Sequence, residues 1–199
     1  MTDSLIILSF FILGILVGVY SLIPNLLNNS NLSEYALYLL MFLVGIGVGG
    51  DHKTWVTLKK ANIKILLIPL TVIFGSLLGA ALFSLLIKGI TIREAMAVGS
   101  GFGYYSLSSI IITKFHGEAL GVIALIANLT REVATLLITP LLARYFGKLA
   151  PIASGGATSM DTTLPVITKY VGKEYAIVSV FSGIILTILV PFMVTFIIK

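Results

Sequence analysis

Apolar runs long enough to cross a lipid bilayer constrain this chain more than any other feature of it. A helix rises about 1.5 Å per residue, so about 20 apolar residues span a hydrocarbon core of roughly 30 Å. Such runs lie at Leu5–Ile23, Glu34–Gly49, Ile63–Ile87, Ala119–Tyr145 and Tyr175–Ile198, each bounded by polar, Gly or Pro residues. With 58% of the 199 residues apolar, 11% charged and a mean hydropathy of +1.10, water cannot be the solvent for most of this surface. The expected fold is an all-α polytopic membrane protein, with residues 1–199 forming a single transmembrane domain.

Leu5–Ile23 lacks the basic flank and small-residue cleavage site of a signal peptide and reads as a mature helix. The chain has no cysteine, which excludes a disulfide framework, a thiolate metal site and a Cys nucleophile. Its net charge of +5 does not point to nucleic acid, because the Lys and Arg residues are scattered over short loops. Their expected role is topological, holding helix ends on the cytoplasmic side while their stems snorkel to the headgroups.

Two further segments have spanning length but polar, glycine-rich centres. Residues 93–113 carry Gly99-Ser100-Gly101-Phe102-Gly103-Tyr104-Tyr105-Ser106, and residues 151–168 carry Ser154-Gly155-Gly156-Ala157-Thr158-Ser159-Met160-Asp161. Each Gly costs about 1 kcal/mol in a helix relative to Ala, and Ser competes for backbone hydrogen bonds. In lipid, broken backbone persists only where protein or a water-filled cavity satisfies it, so both segments are expected inside the bundle. They also resemble each other. An offset of 55 residues sets Ile112-Thr113-Lys114-Phe115 on Ile167-Thr168-Lys169-Tyr170, Gly117 on Gly172, Gly101 on Gly156, and Ser106 on Asp161, a pattern consistent with an internal repeat.

Because one clean span, Ala119–Tyr145, separates them, parity leaves two arrangements. Two fully crossing segments make parallel repeats. Two re-entrant hairpins enter from opposite faces and bring their tips together near the midplane, as in many transporters. The basic stretch Lys53, Lys59, Lys60 and Lys64 is the strongest cytoplasmic signal and puts the N-terminus inside. Either arrangement then leaves the C-terminus outside, and the loop charges fit re-entry slightly better.

Ionisable residues at membrane depth cost about 2.5–3.5 kcal/mol even on the lenient insertion scale, so each is a functional candidate. Asp161 heads them. A carboxylate among Gly, Ser and Thr in an unwound stretch can bind an ammonium group or take up a proton, and the competing role is a cap on a helix starting at Thr162. Arg131 and Glu132 are adjacent and point about 100° apart, as a structural register pair or as coupling residues. Asn128 and Glu132, four apart, share a helix face. Ser100, Ser106, Ser108 and Ser109, with Thr158, Ser159, Thr162 and Thr163, offer hydroxyls for an ion or an amino-acid backbone, or small surfaces for close helix packing. Tyr104 and Tyr105 are candidates to line the same cavity. Pro140, Pro165 and Pro191 are expected to kink or end helices. Asp51 and His52 alone make a weak metal site, so no metal or other cofactor is expected.

Three ordered blocks resemble the lysine exporter LysO family: Gly99 through Ser108, then Asn128 with Arg131-Glu132, then Gly155-Gly156-Ala157-Thr158-Ser159-Met160-Asp161-Thr162-Thr163-Leu164-Pro165. The likeness continues weakly through Phe42-Leu43-Val44-Gly45-Ile46 and so covers nearly the whole chain. The resemblance implies an inner-membrane secondary transporter that exports L-lysine and the analogue thialysine on a cation gradient, a proton or sodium, with Asp161 among its essential acids. It also implies a departure, because typical members carry further N-terminal helices with a second important acid. A separate small membrane subunit of that N-terminal type, or a second copy of this chain, is the expected partner. Two other classes remain open: a non-transporting membrane subunit or channel component, and an intramembrane aspartyl protease using Asp51 and Asp161. The chain has no phosphate-binding GxxxxGK[ST] loop for ATP-driven transport.

Overall fold

The computed structural model describes residues 67–199, together with the isolated helical positions Leu13, Leu16, Val17, Val19, Tyr35, Leu39 and Phe42. The expected spans Leu5–Ile23 and Glu34–Gly49, the start of Ile63–Ile87, the basic stretch Lys53 to Lys64, and Asp51 with His52 therefore lie outside the described residues, apart from those positions. Among the described residues the fold is all-helical. Three helices are long and apolar enough to cross a membrane: α1 (Leu67–Ser84), α4 (Glu118–Tyr145) and α7 (Ala176–Ile198). They match the last three expected spans to within a residue at the described ends, except that α1 stops at Ser84, three residues before the expected Ile87.

Each glycine-rich segment is a pair of short α-helices around a tip that is not α-helical. In the first, Thr91 caps α2 (Ile92–Gly99): its hydroxyl accepts from the Glu94 amide at 3.2 Å, while its own amide donates to Glu94 Oε2 at 2.6 Å. The helix stops at Gly99-Ser100-Gly101, where propensity is lowest. Phe102 at φ 48° and Gly103 at φ 96° then reverse the chain into α3 (Tyr105–His116). In the second, Pro151 opens α5 (Ala150–Gly155), where its missing N–H costs nothing. A 3-10 turn, Gly156–Met160, follows, and α6 (Leu164–Val171) starts after a bend at Asp161–Thr163. Pro165 sits in the first turn of α6, so it opens that helix and does not kink or end one, whereas Pro140 and Pro191 lie inside α4 and α7.

Both pairs fold back on themselves. At the base of the first, His116 Nε2 stands 2.9 Å from Glu94 Oε1, so the start of α2 and the end of α3 lie side by side. Arg93 Nε donates to the Ile197 carbonyl at 2.6 Å and Lys199 lies over the Phe115 ring, which places this base at the C-terminal end of α7. At the base of the second, Lys148 lies over the Tyr175 ring, and Ile152, Ile167 and Val171 pack with Ile68 near the start of α1. The 23 residues of α7 hold its two ends roughly 33 Å apart at 1.5 Å per residue. The hairpins thus open at opposite ends of the bundle and point towards each other.

Where α3 and α6 end, Gly117 (φ 90°) and Gly172 (φ 108°), 55 residues apart, turn the chain back towards the long helices α4 and α7. Between the hairpins, Phe102, Leu107, Ile112, Ala124, Ala157, Leu186 and Val190 form a contiguous buried core. Around it, large apolar side chains such as Phe74, Leu78, Leu137, Phe192 and Phe196 face outwards, as expected of surface solvated by lipid.

Candidate functional site

The two tips meet through their backbones, with the Ala157 amide donating to the Phe102 carbonyl at 2.8 Å. Gly156, at φ 61°, makes the approach possible, because a side chain there would overlap the Phe102 carbonyl oxygen. The middle of α4 holds both tips. Its buried stripe runs Gly121, Ala124, Asn128, Glu132, Thr135 and Thr139, a helical three-and-four spacing that carries polar groups at mid-length.

Asn128 belongs to the first tip. Its Oδ1 accepts from the Gly103 amide at 2.8 Å, and its Nδ2 donates to the carbonyls of Val98 at 3.0 Å and Ala124 at 2.9 Å. Arg131 belongs to the second. Nε donates to the Ser154 carbonyl at 2.9 Å, Nη2 to the Ala153 carbonyl at 3.0 Å, and Nη1 to the Ser76 hydroxyl on α1 at 2.8 Å. A guanidinium at the carbonyl end of a half-helix matches the sign of the helix dipole there and answers the orphan acceptors. Thr135 reinforces the same point, its hydroxyl 2.7 Å from Ser154 Oγ. Glu132 is wholly buried on the Asn128 face.

Among the hydroxyl candidates, Ser100, Ser108 and Thr158 donate to the carbonyls of Ala97, Tyr104 and Gly155, three or four residues back, and Ser159 donates to Gly156 and to Ser179 on α7. They close the broken backbone upon itself and keep only acceptor lone pairs for a ligand. Ser109 likewise donates to the Ser106 carbonyl, and Thr163 to that of Thr158. Ser106, in the first turn of α3, is half-buried, and Tyr105 is buried beside it.

Asp161 stands apart from this network. It follows the 3-10 turn and is solvent-exposed, whereas Gly155 through Ser159 before it are buried. Its Oδ1 accepts from the Thr162 amide at 2.6 Å and from the Thr162 hydroxyl at 3.3 Å. It does not cap a helix starting at Thr162: α6 begins at Leu164 behind Thr163, with no side-chain cap bond. The carboxylate is held by Thr162, and the half-buried Tyr104 of the other tip lies within electrostatic reach of it. Asn128 and Arg131, by contrast, hold the two tips from α4.

Sequence reasoning missed Ser76, which takes the third arm of Arg131, and Thr135 with Ser154. Ser76 follows Gly75 inside an apolar run, a polar residue at membrane depth that could have been flagged on the same ground as Asn128. Among the described residues no cluster of His, Asp and Glu could hold a metal ion.

A family profile described as lysine exporter LysO matches residues 8–198. The lysine exporter LysO of Escherichia coli (strain K12) is 35% identical over 196 residues, covering 98% of this chain and 64% of that protein. A putative lysine exporter of Haemophilus influenzae (strain ATCC 51907 / DSM 11121 / KW20 / Rd) is 33% identical over 171 residues, 85% of this chain and 84% of the relative. The chain therefore spans somewhat under two thirds of the length of the E. coli relative. No solved structure matches it. Apolar spans, paired broken hairpins and these matches together show that the chain is a multi-pass membrane protein belonging to the lysine exporter LysO family.

Proposed function

We propose that this chain forms the tip-bearing core of a secondary transporter that exports L-lysine, and thialysine with it, across the cytoplasmic membrane on a proton or sodium gradient. One observation carries the reading: a carboxylate, Asp161, is exposed at the end of the 156–160 turn, directly after the buried tip residues 155–159. A cationic side chain or ammonium group is the natural partner for such an acid, and unwound backbone beside it suits the other end of an amino acid. The names of the relatives favour lysine among cationic amino acids.

In this mechanism Asp161 and Thr162 receive the cationic group, with Tyr104 and Ser106 across the gap. Arg131 and Asn128 act behind them as positioning residues that hold the tips, and buried Glu132 completes the charge balance as access alternates. The hairpins are read as re-entrant from opposite faces, with the N-terminus cytoplasmic and the C-terminus outside. The opposed bases and the paired glycines Gly117 and Gly172 support that topology and the repeat behind it. A small N-terminal-type membrane subunit or a second copy is the proposed partner, consistent with the portion of the E. coli relative that this chain does not cover.

The test is efflux from lysine-loaded cells lacking their own exporter, with the chain expressed alone and beside its genomic neighbour, each with and without Asp161→Asn. Efflux of lysine and thialysine that disappears with the substitution is expected. Unchanged efflux in the variant would favour the non-transporting or channel-component reading of Asp161, and no efflux in any combination, with protein in the membrane, would remove the substrate assignment. The aspartyl protease alternative gains nothing from the family, and its second acid, Asp51, lies outside the described residues.

A further inference from the structure

On the side of the second tip away from Arg131, α7 packs directly against the 3-10 turn. Gly183 permits the contact, since a Cβ there would lie 2.6 Å from Met160 Cβ and 2.8 Å from the Ala157 carbonyl oxygen. Ser159 ties the same surfaces together by donating to the Ser179 carbonyl at 3.0 Å. Beside this contact stand Ser179 and Ser182, each with no exposed surface. Neither hydroxyl has a hydrogen-bond partner among the described residues, although other buried hydroxyls of the tips, those of Ser100, Ser108, Thr158 and Ser159, bond to a nearby carbonyl. A buried hydroxyl without a partner costs about 1–3 kcal/mol, so two of them one turn apart beside unwound backbone call for a ligand.

We infer that Ser179 and Ser182, with carbonyl oxygens of the 156–160 turn, form a binding site for Na+. The donors there are hydroxyl and carbonyl oxygens, which suit a monovalent hard cation, whereas Ca2+ and Mg2+ are held chiefly by carboxylates. An ion there ties α7 to the turn that ends in Asp161, so its occupancy bears on the position of that carboxylate. This deepens the reading of a cation-coupled exporter by separating the ion's site from the substrate's, but the inference is tested by binding and does not depend on lysine being the cargo.

The experiment is thermal unfolding of the purified full chain in NaCl, KCl and choline chloride at equal ionic strength. Na+ is expected to raise Tm by about 3–5 °C for each tenfold increase in concentration above its Kd, with K+ no better than choline. Ser182→Ala and Ser179→Ala should each abolish most of that shift while matching or exceeding the wild-type Tm in choline, because they remove an unpartnered hydroxyl. Equal stability of the wild type in all three salts, or a full Na+ shift in both variants, would overturn the inference and leave two hydroxyls turned to their own helix. Should one variant fail to fold, the other still decides, since each removes one of the two hydroxyls. A Na+ shift without lysine efflux would sink the export reading and leave the site standing.

Discussion

Replacing Gly156 by Ala tests the meeting of the tips most directly. At φ 61° and ψ −125° this residue occupies backbone space that is essentially reserved for glycine, and an Ala held there costs about 1–3 kcal/mol. The added methyl would overlap the Phe102 carbonyl oxygen and stand 3.2 Å from Arg131 Nη2. Relief requires the tips to part, which breaks the 2.8 Å bond from the Ala157 amide and strands a buried donor at a further cost of about 1–3 kcal/mol. The sum, about 2–6 kcal/mol, corresponds to a fall in Tm of roughly 5–20 °C for a domain of this size. Thermal unfolding of the purified protein reads it, with efflux measured alongside. Gly75→Ala is the control, because nothing lies within 4 Å of a Cβ there and Ala in a helix interior is favoured by roughly 0.5–1 kcal/mol. A Gly156→Ala protein that melts within a degree or two of wild type would refute the described tip contact.

Other expectations follow from the same geometry. Asn128→Leu should cost about 1–3 kcal/mol by orphaning the Gly103 amide, whereas Asn128→Asp keeps that acceptor and should lose less in the same melting assay. Arg131→Lys cannot reach Ser76, Ala153 and Ser154 together, so a loss of about 2–4 kcal/mol and slowed efflux are expected despite the retained charge. Because the chain has no native cysteine, Arg93→Cys, Phe115→Cys and Lys148→Cys can be labelled without background; the first two should react from one face of the membrane and the third from the other. Arg93 and Phe115 labelling from opposite faces would disprove the hairpin. The hydroxyl and amide of Thr91 hold Glu94 below the ordinary carboxylate range, so the capping box should persist through mildly acidic pH and be lost as pH falls through that lowered value; amide-exchange protection at Thr91 and Glu94 measures this.

The long spans were readable because lipid imposes a simple demand: apolar side chains over a fixed length of helix. The start of α4 at Glu118 and of α7 at Ala176 each fall within one residue of the reading. The breaks were readable too, since Gly99-Ser100-Gly101 and Gly155-Gly156 cannot sustain a helix at low cost. Hairpin against crossing was signalled only weakly, by loop charges that leaned towards re-entry. That distinction rests on Glu94 meeting His116 and Lys148 meeting Tyr175, contacts between residues more than twenty apart with no local signal. The serines illustrate a second limit. Sequence shows a hydroxyl but not its partner, and in a low-dielectric interior Ser100, Ser108 and Thr158 took the nearest carbonyl. Asp161 was the reverse case, because its exposure depends on neighbours turning inwards around it.

Arg131 imposes an order on how the protein is made. Its helix, α4, precedes Ala153 and Ser154 in the chain, so Arg131 reaches the membrane ahead of them and at first has only Ser76, of the partners described for it, to bond. Asn128, by contrast, finds Val98 and Gly103 already synthesised. The first half can therefore settle on arrival, while the second half is drawn into place by a charge that is waiting for its carbonyls. A chain cut between Tyr145 and Ala150 would carry that charge into the bilayer with two of its three described acceptors missing.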